Sequence, residues 1–161
     1  NVEKWLRRAL AQNRDDPRAL SLTARRWLME DAKHEEATKW LEHALRVNQN
    51  LATAHVMRAG VAIARGEIEL AESHVGLALA LNASDLEALT MQAVLRFVRG
   101  DASGFAQAER VVLSRAPRYA RFYATIVRHA ERSHRYPELL SLAQKAVAYN
   151  PVKLQQTVCL P

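Results

Sequence analysis

The chain has 161 residues, 49% hydrophobic and 25% charged, with 23 Lys plus Arg against 17 Asp plus Glu and a net charge of +6. This is ordinary globular composition, and no apolar run approaches the roughly 18 residues a membrane-spanning helix needs. The one cysteine, Cys159, excludes an internal disulfide and a Cys-based zinc site, while the basic balance suits acidic partners or a merely solvated arginine-rich face.

Val2 to Gln12 reads as a lone helix with Trp5, Leu6, Ala9 and Leu10 on one stripe. Asp16 before Pro17 is a helix start, an N-cap followed by the residue favoured in the first turn. From there the chain predicts four pairs of helices. The first runs Pro17 to Glu30 and returns from Glu35 to Val47; the second runs Thr53 to Arg65, turns at Gly66-Glu67 and returns from Ile68 to Leu81. The third runs Asp85 to Arg99, turns at Gly100-Asp101 and returns from Ser103 to Ser114. The fourth runs Arg118 to Ser133, turns at His134-Arg135 and returns from Pro137 to Tyr149, with Pro117 and Pro151 closing returning helices. Residues 152–160 predict the start of one more helix. No alternating apolar run argues for a strand.

These pairs repeat. Ala44, Ala78, Val112 and Ala146 are spaced by 34 residues, as are Ala37, Ala71, Phe105 and Leu139, while Ala24, Ala59, Ala93 and Val127 step by 35, 34 and 34. Such a period belongs to stacked helical hairpins, each of which completes its neighbour's core. The small residues predict close helix crossings, where a larger group would overpack. Phe105 and Leu139 depart from this rule and predict splayed or shifted hairpins in the last two repeats.

The chemistry of an enzyme is not written here. The phosphate-loop, dinucleotide, nucleophile-elbow and H-E-x-x-H motifs do not occur in the sequence, and His34-Glu35-Glu36-Ala37-Thr38 lacks the second histidine that zinc requires. His129 and His134 are five apart, off register for two ligands on one helical face, and His43, His55 and His74 fall in separate helices at partly buried or convex positions. Glu35, Glu36, Glu67 and Glu69 stand near helix starts, where they complement the dipole. The expectation is no catalytic residue, no metal and no cofactor.

The repeats resemble the tetratricopeptide repeat (TPR) family. The first carries Leu20, Ala24, Trp27, Ala37, Leu41 and Ala44, with Gln49 where a proline is usual. The second carries Ala59, Gly66, Ala71 and Ala78, with His55, Arg58 and Ala62 at places usually larger and apolar. The third keeps Leu89, Ala93, Gly100 and Pro117, and the fourth Tyr123, Ile126, Leu139, Ala146 and Pro151. The resemblance implies an all-α fold, a right-handed superhelical solenoid of antiparallel hairpins. It forms one domain, with a truncated repeat at 1–16, repeats at 17–51, 52–85, 86–119 and 120–153, and a further helix from 154.

It also implies a noncatalytic scaffold that takes a peptide or helix in the groove lined by the first helix of each pair. Helical phase places Arg18, Arg25, Val56, Ile63, Thr90, Val94, Phe97, Arg121, Arg128 and Arg132 on that face, an apolar centre with arginines at both ends suited to a partner with acidic flanks. Its competing reading makes Ile63, Val94 and Phe97 inter-repeat core. The Lys/Asn/Arg clamp by which some TPR proteins hold chaperone tails is replaced by Ser21, Arg25, Met57, Glu87 and Met91.

Two other readings stand beside the scaffold. The stretch from Arg118 to Pro151 is similar to TPR segments preceding bacterial zinc-peptidase domains, which would make the chain an accessory part of a larger enzyme. Binding of RNA by a helical array draws on the charge, but the expected code positions vary without pattern, and no nucleic-acid partner is expected. The start at Asn1 inside a hairpin predicts a piece of a longer protein, and the reading favours the cytoplasm. The apolar residues Trp5, Leu6, Leu154, Val158 and Leu160 at the two ends predict self-association.

Overall fold

A computed structural model of the protein describes residues 2–29, 33–119, 121–131 and 135–149. Among them are nine α-helices and no strand: α1 (Val2–Gln12), α2 (Pro17–Met29), α3 (His34–Val47), α4 (Ala52–Arg65), α5 (Ile68–Leu81), α6 (Leu86–Val98), α7 (Ala102–Arg115), α8 (Arg121–Ala130) and α9 (Tyr136–Tyr149). The expected continuation over 152–160, with Leu154, Val158, Cys159 and Leu160, lies outside the described residues, as do Arg132 and His134. The chain divides into two compact units, one from Asn1 to Asp85 and one from Leu86 onward, at the boundary between the second and third repeats.

In the first unit α2 pairs with α3 and α4 with α5, α1 packs on α2, and α4 meets α2 and α3. The alanines of the repeat lie in the packed interior: Ala24, Ala37, Ala44, Ala59, Ala71 and Ala78 have no exposed surface. Ala24, Leu41, Ala54, Met57 and Val61 form a core, edged by Leu28, Trp40, Leu45 and Leu51. α4 is buried along nine of its fourteen residues because helices cover it on several sides.

In the second unit α6 pairs with α7 and α8 with α9, and α6 also packs on α8. Phe105 occupies the position of Ala37 and Ala71. Its ring lies in a line of aromatics, 5.6 Å from Phe97 and 6.4 Å from Phe122, which in turn meets Tyr123 edge-on at 5.1 Å. Phe122, with no exposed surface, is the largest fully buried side chain among the described residues, and Leu139 is likewise buried.

The helix ends are fixed locally. Asp16 caps α2 by accepting hydrogen bonds from the Arg18 and Ala19 amides at 2.9 and 3.3 Å, and Asp101 caps α7 by accepting from the Gly104 amide at 2.8 Å. α4 and α6 end on glycines at positive φ, Gly66 at 79° and Gly100 at 74°, after which Glu67 donates to the Ala62 carbonyl and Asp101 to the Arg96 carbonyl. The returning helices α1, α3 and α5 end at Asn13, Asn48 and Asn82, a series stepping by 35 and 34 residues. Each side-chain oxygen accepts from an amide two residues on: Asp15, Asn50 and Ser84, at 2.9–3.1 Å. These asparagine turns end helices where no proline stands.

Candidate interaction surface

The expected groove residues fall into two groups. Val56, Ile63, Thr90, Val94 and Phe97 are buried, with Val94 fully so. α4 packs against α2, α3 and α5, and α6 against α7 and α8. Phe97 is further covered by Arg135, whose guanidinium lies 4.8 Å from the ring centre and donates to the Phe97 carbonyl at 3.0 Å. The arginines stay outside. Arg18, Arg121 and Arg128 are exposed and Arg25 is half-buried, while Arg132 lies outside the described residues.

Within the first unit, α2 carries an outward stripe. Arg18, Leu22, Arg25 and Met29 recur at helical spacing, with Leu22 exposed by 41% and Met29 by 84%. The neighbouring Ser21 is buried and donates its hydroxyl to the Pro17 carbonyl at 2.8 Å. Within the second unit, Arg121, Ala124 and Arg128 form an exposed stripe on α8. Arg121 reaches Glu87 at 3.4 Å, a solvated pair that leaves the guanidinium largely open. Arg128 makes no ion pair among the described residues.

The polar groups inside are structural. Glu109 accepts from the Tyr123 hydroxyl at 2.7 Å and from Lys145 Nζ at 3.2 Å, tying α7 to α8 and α9 in the second unit. In the first unit Arg58 is buried and donates to Thr38 Oγ1 and Glu42 Oε1, both at 3.4 Å. His55 and His74, in separate helices as expected, meet across α4 and α5 with their Nδ1 atoms 2.9 Å apart. No cluster of three or more metal-ligating side chains occurs among the described residues. A shallow, polar concavity is lined by Gln92, Arg96, Asp101 and Gln107 between α6 and α7. No helix of the described residues is long and apolar enough to cross a membrane.

No family model and no curated protein matches the chain. Solved structures do. A crystal structure of MamA protein superposes with a TM-score of 0.60 at 17% identity, covering 97% of this chain and 85% of that one. A second MamA crystal structure gives 0.62 at 17% identity, covering 93% and 87%. MamA has the TPR fold, and at this identity the likeness establishes the fold alone: the chain is an all-α array of TPR-like hairpins.

Proposed function

We propose that the protein is a noncatalytic protein-interaction scaffold whose contacts lie on the outward stripes of first helices. The observation carrying this is the placement of cations: Arg18, Arg121 and Arg128 stand in solvent on α2 and α8 rather than in the packed interior. A guanidinium held on a helix offers two parallel donors to a carboxylate, which selects partner segments with Asp or Glu. On α2 the exposed Leu22 and Met29 add apolar contact, and methionine adapts to varied partners. The apolar part of recognition therefore comes from Leu22 and Met29 and not from Val94 and Phe97. The same surface would serve if the chain is an accessory segment of a larger enzyme.

The test is capture of partners from a source lysate by the chain and two charge-reversed variants. Arg121→Glu with Arg128→Glu should lose partners and should reduce the salt sensitivity of what remains. Arg46→Glu with Arg110→Glu, which reverses exposed charges on the second helices α3 and α7, should keep them. Equal loss from both would reduce the interaction to attraction by a basic protein. Full retention by the α8 variant would remove α8 from the surface.

A further inference from the structure

We propose that His55 and His74 form a single-proton clasp between α4 and α5, which closes the hairpin at neutral pH and is forced open by acid. The geometry fixes the protons. His55 is buried, and its Nε2 lies 3.0 Å from the Gln49 carbonyl oxygen, which can only accept, so Nε2 carries a proton. In the neutral ring Nδ1 is then the acceptor, and the Nδ1 of His74, 2.9 Å away, must donate. The ring centroids are 5.2 Å apart, farther than the nitrogens by about two imidazole radii, so the two Nδ1 atoms face each other nearly in line. A proton fits on that line. A chelated metal ion does not, because its ligand lone pairs must converge on a point off the line.

Adding protons strains the arrangement in two stages. A first extra proton on His74 keeps the hydrogen bond but places a cation beside buried Arg58 in a half-buried site. A second would set two N–H groups head to head and break the contact. The charged groups that act on His74 oppose a further cation. From α4 the charged or titratable groups facing His74 are His55 and Arg58; from α3, Glu42 is engaged with Arg58; Glu69 and Glu72 on α5 itself are exposed. Burial, His55 and Arg58, in that order, draw the His74 imidazole down from 6.5 to about 4.

The direction of the pH effect follows. The folded value lies below the unfolded one, so the clasp contributes fully above pH 6.5 and its contribution is lost as pH falls from 6.5 toward 4. Between pH 7 and pH 5 the opening equilibrium should rise by at most about twentyfold from His74 alone, an upper bound because water reaches half of the ring. A scaffold so built keeps its second repeat rigid at neutral pH and loosens it in acid.

The experiment uses the whole chain. The ring Cε1 protons of the histidines are followed by NMR from pH 8 to 4, and denaturant midpoints are measured at pH 7 and pH 5 for wild type, His74→Gln and His43→Gln. Glutamine at 74 can still donate to His55 Nδ1 but does not titrate. The expected result is a His74 midpoint more than one pH unit below its ordinary value, with a fall in stability from pH 7 to 5 that His74→Gln reduces severalfold in the equilibrium constant. His43, a half-buried partner of Asp15 at 2.7 Å, serves as the control whose loss leaves the His74 midpoint in place. An ordinary His74 titration in the folded wild type overturns the proposal, and so do parallel pH profiles for wild type and His74→Gln. The NMR titration requires no variant and decides the matter if His74→Gln fails to fold.

Discussion

Replacing Ala78 by leucine separates the close-crossing argument from mere helix propensity. Ala78 shares a buried stripe of α5 with Ala71 and Val75, and the α4 side of that hairpin is closed as well, with Ala54, Ala59, Val61 and Ala62 exposed by 1% or less. The three added carbons have no outlet to solvent, so α4 and α5 must separate. This sets the loss in the upper part of the overpacking range, about 2–3 kcal/mol. Ala80, two residues on, is exposed, and leucine there should change stability by no more than about 0.5 kcal/mol. Alanine and leucine are both strong helix formers, so the small propensity difference is common to the two variants and cancels between them. Urea unfolding followed by circular dichroism gives the midpoints, and for a unit of this size each kcal/mol corresponds to about 4–8 °C in melting temperature. An Ala78→Leu protein as stable as wild type, or equal losses at both sites, would refute the assignment of the alanine series to helix crossings.

Other expectations follow from single contacts. Arg58→Met should raise the His74 titration midpoint by removing the third of its three depressing influences, read by NMR, while Arg46→Met, on the exposed side of α3, should leave it unchanged. Gly66→Ala and Gly100→Ala should each cost about 1–2 kcal/mol, because both glycines hold positive φ that a Cβ opposes; denaturant midpoints check this. The Asp101 carboxyl is held below the usual carboxylate range chiefly by the Gly104 amide, then by the Ser103 hydroxyl and Arg96. Its stabilisation is thus present above the ordinary carboxylate pKa and lost as pH falls through the lowered one. Asp101→Ala should weaken the second unit at pH 7, and Asp101→Asn should keep the cap while flattening the acid limb of the stability profile.

How much of this could be read in the chain is clearest at particular residues. The helix count and the Gly66 and Gly100 turns are local matters, set by periodicity and by the need for positive φ, and the structure repeats them within a few residues. A helix expected from Arg118 to Ser133 is described from Arg121 to Ala130, and residues 120 and 132–134 of that stretch lie outside the described residues. Helical phase separates inward from outward faces for a helix covered on one side, but α4 and α6 are covered on several, which turns Val56, Val94 and Phe97 inward. On α2 a step of one residue separates exposed Leu22 from buried Ser21. The His55–His74 contact joins residues 19 apart, and only the phase of one helix against the next brings them together.

The asparagine turns bear on the order in which the molecule is assembled. Each of Asn13, Asn48 and Asn82 closes its turn onto an amide two residues away, so a junction can form without any contact from elsewhere in the chain. Loop closure over so few residues is fast, of order 10–100 ns, and hairpins built from neighbouring helices keep contact order low. A chain emerging from the ribosome could therefore fix the exit direction of each returning helix before the next hairpin exists. Replacing these asparagines would then be felt first in folding rate and in the register of early intermediates.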